Sequence, residues 1–161
     1  MNKSEFIYLE DLQVNETEWS GEITVDGDEM LAYNRRNDPW PIHVDEQAAS
    51  KTSFGSIIAS GGFTITLLYR LCHQIYNRPE SPWAFMGGFN WEVKFPNPVK
   101  AGDRLRVVLT VLSKRESSKP DRGVFQLLHE LVNQDDQTVL SLTATVLIGR
   151  RPAGPIEDDL T

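Results

Sequence analysis

An α+β fold, with one long buried helix wrapped by a curved antiparallel sheet, is predicted by three features of this 161-residue chain. Residues 60–77 place Ile65, Leu68, Leu71, Cys72 and Ile75 at helical spacing, while Leu67 and Tyr69 make the opposite side apolar as well, so this helix is expected to be enclosed. Beyond it the apolar period changes from helical to two, in four successive runs of strand length. No repeat or linker divides the chain, so one domain is expected over 1–151, followed by a flexible acidic tail over 152–161.

The elements follow in order. The first twenty residues are polar and mixed. Gly21–Val25 reads as a short strand, and Asp26 with Glu29 three residues on reads as a capping box opening a helix through about Arg36. Asp38-Pro39-Trp40-Pro41 stops that helix. Two prolines so close together fix φ and remove backbone donors, so 38–43 is expected to be irregular and rigid. Asp45 caps a helical turn over Glu46–Ser50, and Phe54–Ser60 leads into the long helix, which Asn77 and Pro79 end.

The first strand run, Phe85 to Phe95, alternates as a half-buried strand would, with Gly87-Gly88 giving the sheet a kink. Arg104–Ser113, Gly123–Asn133 and Val139–Ile148 alternate likewise, and Asn133–Asp136 reads as a tight turn between the last two.

Composition excludes several functions. With 16 basic and 23 acidic side chains the net charge is −7, which opposes a nucleic-acid backbone. The single Cys72 permits no internal disulfide or Cys-based zinc site. No apolar run is long enough to cross a membrane and the N-terminus does not read as a signal peptide, so a cytoplasmic protein is expected. The three His have no acidic residue at ligand spacing, and Gly87-Gly88 lacks the rest of a dinucleotide fingerprint, so neither metal nor cofactor is expected.

The chemistry concentrates in Asp38-Pro39-Trp40-Pro41-Ile42-His43, where a carboxylate and an imidazole share a proline-stiffened loop. Alone, Asp38 could be a turn residue before proline. Ser60-Gly61-Gly62 then opens the long helix, whose free N–H groups and partial positive charge suit a developing oxyanion. Asp–His pairs carry protons near neutrality. Ser60 could be a nucleophile, but without a Gly-x-Ser-x-Gly elbow it reads as an N-cap. His73 and His129 read as structural.

Asp-x-x-Pro-x-His, then Gln47-Ala48-Ala49, Phe54–Gly61, Pro98–Asp103, Pro120–Gly123 and Leu142–Thr145, in that order over roughly 20–150, resemble the MaoC-like acyl dehydratases with a hotdog fold. The resemblance implies (R)-specific hydration of a trans-2-enoyl thioester or its reverse, carried by coenzyme A or an acyl carrier protein. It assigns Asp38 and His43 as the pair that holds water, and the N–H of Gly61 or a neighbour such as Ser60 to the thioester carbonyl. Where the hydratase branch has Asn, this chain has Trp40, expected as a wall of the acyl site or else as packing over Pro39 and Pro41. The resemblance also implies a homodimer or dimer of dimers, which the edge strand of a single sheet would favour. A hotdog thioesterase is the alternative, disfavoured because 60–77 holds no Asp or Glu; a non-catalytic acyl-binding subunit is another.

Overall fold

In the computed structural model, which describes residues 5–153, six strands form an antiparallel sheet around one long helix. The elements are β1 (Thr17–Trp19), β2 (Ile23–Thr24), α1 (Gly27–Asn37), α2 (Pro41–Val44), α3 (Glu46–Ser50), α4 (Gly61–Tyr76), β3 (Phe85–Lys94), β4 (Arg104–Glu116), β5 (Arg122–Val132) and β6 (Thr138–Gly149). The strand order is β1-β4-β5-β6-β3, with β2 pairing a further stretch of β4. Most of the expected tail, 154–161, lies outside the described residues.

The long helix forms where the two-sided apolar spacing puts it. Ser60 caps it through Phe63 N–H, and Phe63, Leu67, Leu68, Leu71 and Ile75 are almost fully buried. Facing them are Leu105, Leu131, Leu140, Leu142 and Ile148 of the sheet, which join the same apolar cluster. Replacing such a side chain by alanine typically costs about 2–5 kcal/mol, so this packing fixes where the helix N-terminus points.

Four expectations change. First, 38–43 is not wholly irregular: Pro41 opens the single helical turn α2, because the φ of proline suits a first helical position and its missing N–H is not needed there. Second, Asp26 caps α1 through Asp28 and Glu29 N–H, but the Glu29 carboxylate reaches across to Arg70 on α4 instead of closing the box. Third, β1 lies within a stretch read as polar and mixed; three residues suffice because the β4 edge supplies the partner. Fourth, β3 is more exposed than a half-buried strand. Among the described residues it pairs only with β6 and forms one edge of the sheet, leaving Phe85, Phe89 and Trp91 each more than half exposed.

The kink expected at Gly87-Gly88 is present as register shifts on both sides of the pair, and Gly87 takes φ +143°, a backbone conformation that disfavours any side chain.

Candidate active site

The proline loop and the start of α4 are brought together by one residue that the sequence did not single out. Asn34, fully buried on α1, donates from Nδ2 to the carbonyl oxygens of His43 at 3.0 Å and Ile58 at 3.3 Å. Its Oδ1 accepts the Ser60 N–H at 3.1 Å. One amide thus links the His43 segment to the chain that opens α4. Such a buried amide costs several kcal/mol unless its bonds are made, so its orientation is fixed by its partners.

Those partners also fix the imidazole. His43 Nδ1 lies 2.9 Å from the Ile58 carbonyl, which can only accept, so Nδ1 carries the proton and neutral His43 keeps a lone pair on Nε2. That nitrogen stands 3.7 Å from Asp38 Oδ2. The separation is too long for a direct hydrogen bond and suits a water held between the two groups. Asp38, the C-cap of α1, is 40% exposed at its side chain, against 10% for His43. The pair therefore has one wet side and one sheltered side.

At the opening of α4, the Ser60 hydroxyl is turned to Phe63 N–H, and the Ser60 N–H is taken by Asn34. Ser60 is accordingly a buried cap whose N–H is already taken. The N–H groups of Gly61 and Gly62 have no acceptor among the described residues. Unpaired N–H groups at a helix start can donate to a ligand oxygen. Both positions are crowded: a Cβ at Gly61 would meet the Phe95 ring at 3.1 Å, and one at Gly62 the Tyr33 hydroxyl at 2.8 Å.

The later motif residues brace this end of α4. Val99 O accepts the Ala59 N–H at 2.8 Å, Lys100 Nζ donates to Phe54 O at 2.6 Å, and Gly102 turns the chain at φ +84°. Trp40 is 67% exposed, donates its N–H to Asp38 O, and does not line the large cavity described next, so it is no lid over the core.

That cavity, of about 600 Å³, opens between the second half of α4 and β3. Its walls are mostly aromatic, including Tyr69, Tyr76, Trp83, Trp91 and Phe125, and its buried polar feature is His129. His129 Nδ1 lies 2.9 Å from Leu142 O, and Nε2 lies 2.5 Å from the Tyr76 hydroxyl. Burial pushes the imidazole down to about 4, against hydrogen bonds that favour its charged form.

This depression has a sign. Between about pH 4 and the unfolded value of 6.5, the unfolded chain holds a proton that the folded chain does not. Stability from neutral burial is therefore complete above about pH 6.5 and is lost as the pH falls toward 4, by up to about 3 kcal/mol. Urea unfolding at several pH values should show this slope in the parent chain and a flatter one in His129→Leu. Identical slopes would contradict the assignment.

Comparison with known proteins places the chain in a family. The MaoC like domain family model matches residues 14–132. The chain is 30% identical over 142 residues to the 3-hydroxyacyl-thioester dehydratase Z of Mycobacterium tuberculosis, covering 88% of this chain and 82% of that protein. Among solved structures, the MaoC-like dehydratase from Rhodospirillum rubrum superposes with a TM-score of 0.81 at 34% identity, covering 91% of this chain and 99% of that one. A Mycobacterium tuberculosis protein with a double hotdog fold superposes with a TM-score of 0.76 at 15% identity, over 92% of this chain and 46% of its own. The last shares the fold alone. With a family model spanning most of the chain and a dehydratase relative along nearly all of it, this protein belongs to the MaoC-like dehydratase family and has the hotdog fold.

Proposed function

We propose that this protein adds water to the double bond of a trans-2-enoyl thioester, or removes it from the corresponding 3-hydroxyacyl thioester, on coenzyme A or an acyl carrier protein. The observation that carries this reading is the gap between His43 Nε2 and Asp38 Oδ2, tied through Asn34 to the unpaired N–H groups opening α4. In the hydration direction, water between the two groups gives one proton to His43 Nε2 while its other O–H, which stays on the oxygen, donates a hydrogen bond to Asp38. The water oxygen bonds to C3 as the double bond shifts toward the thioester, and the resulting enolate oxygen takes hydrogen bonds from Gly61 and Gly62. The pair then returns the proton to C2, so atoms and charge balance.

Each positioned proton-transfer group contributes typically 10²–10⁴-fold, and each oxyanion donor about 10²–10³-fold. Trp40 is retained as a substrate contact at the wet side of the pair, because it adjoins Asp38 and is free to meet a ligand. The name of the mycobacterial dehydratase supports the substrate class. The absence of a carboxylate along α4 disfavours the thioesterase alternative. The test is direct: incubation with an enoyl-CoA should consume its conjugated ultraviolet absorbance without releasing free thiol. Thiol release would overturn the reading.

We further propose that a second copy pairs through β3, giving a homodimer or a dimer of dimers. An exposed aromatic edge strand is a liability unless covered, and a chain with two hotdog units in tandem has the corresponding architecture. Sedimentation at micromolar concentration should give twice or four times the mass of one chain. A monomer would refute the pairing.

A further inference from the structure

We propose that the aromatic cavity beside α4 receives the distal part of the acyl group, and that its Tyr76–His129 pair selects chains bearing a neutral hydrogen-bond donor such as a hydroxyl. This inference rests on the thioester reading above. The cavity is aligned with the proposed carbonyl site. Phe95 lies against Gly61, and Trp91 packs against Tyr69 with tilted rings 5.6 Å apart between centres, so the chain from β3 to Phe95 accompanies α4 from its start to the cavity. Tyr69 follows Gly61 by about two turns, or roughly 12 Å of helix. A thioester held at Gly61 therefore needs a chain of medium length to reach the aromatic walls. At about 600 Å³ the space is of ligand size, larger than a short acyl group requires.

The hydrogen-bond direction in the cavity is determined one atom at a time. The Leu142 carbonyl can only accept, so His129 Nδ1 is the donor. With the imidazole neutral, Nε2 holds a lone pair and must accept from the Tyr76 O–H. The Tyr76 oxygen has then used its proton and still has two lone pairs. The Cys72 thiol, buried beside it, is a weak donor and can occupy only one of them. The cavity thus offers an acceptor and no matching donor from this pair. An acyl hydroxyl meets that acceptor; an ammonium would carry an uncompensated charge into an apolar space.

The test uses saturated acyl-CoA probes, which cannot be hydrated: decanoyl-CoA and counterparts hydroxylated at one of the last three carbons. Binding is read from the fluorescence of Trp83 and Trp91, which line the cavity. At least one hydroxylated probe should bind roughly three- to tenfold more tightly than decanoyl-CoA, as expected for one added hydrogen bond. The double variant Tyr76→Phe/His129→Leu, which removes both acceptors of the pair, should erase that preference while retaining decanoyl-CoA binding. Equal affinity for all probes, or a preference that survives the double variant, overturns the inference. Should the double variant fail to fold, Ala144→Leu, which fills the cavity and leaves the pair intact, must weaken every probe at least tenfold; unchanged binding overturns the placement. Hydration of trans-2-decenoyl-CoA is measured alongside. If it proceeds without any hydroxyl preference, only this inference fails; if it does not proceed and thiol is released, the hydratase reading fails first.

Discussion

Asp38→Asn should hydrate enoyl thioesters at least about a hundredfold more slowly than the parent chain, with an unchanged melting temperature. The amide keeps the shape and exposure of the carboxylate but lacks the negative charge that orients the bridging water and balances the proton gained by His43, and the partly exposed Asp38 side chain is not part of the core. His43→Ala should lose at least as much activity, with a different thermal signature. Its imidazole is largely buried and gives its Nδ1–H to Ile58 O, so removing it leaves that carbonyl with Asn34 Nδ2 alone and opens a small void, a cost of about 1–3 kcal/mol. Turnover should therefore be compared per folded molecule, well below both melting temperatures. Near-normal hydration by either variant would remove the pair from the mechanism.

Asn34→Ala should also lower turnover by about a hundredfold without Asn34 touching substrate. The amide spaces His43 relative to Ser60, and a misplacement of about 1 Å can cost that much in rate. Stability will fall too, because the Ser60 N–H and the His43 carbonyl both lose a buried partner. Positioning differs from mere support in two readouts. The loss should appear in kcat, with KM little changed. Nitrogen resonances of His43 should change from one tautomer, protonated at Nδ1, to a mixture of the two. If Asn34→Ala melts earlier but keeps the parent kcat and a single tautomer, the residue is structural alone.

Much of this molecule is readable in its sequence because the signals are periodic or local. The two-sided apolar helix, the alternating runs of β4 to β6, and the caps at Asp26, Asp45 and Ser60 are each decided by neighbours in the chain. Asn34 is not. It sits in the polar run Asn34-Arg35-Arg36-Asn37, where nothing distinguishes a buried clamp from a solvated face. Its role arises only when residues far along the chain fold onto it. Similarly, β3 carries the alternation of a strand, but its exposure depends on which end of the sheet it occupies, a property of the strand order. The Tyr76–His129 contact joins α4 to β5, and each residue has an ordinary structural reading on its own.

The placement of β3 also bears on how the chain is made. Its neighbour in the sheet is β6, about fifty residues downstream, whereas β4, β5 and β6 pair in sequence through short turns. On a ribosome adding about 5–20 residues per second, β3 waits several seconds for its partner with Phe85, Phe89 and Trp91 uncovered. The β4–β5–β6 hairpins can close as they emerge, while β3, made before them, docks last. Nascent chains are consequently most prone to stick to one another during this interval, and slower elongation between β3 and β6 would lengthen their exposure.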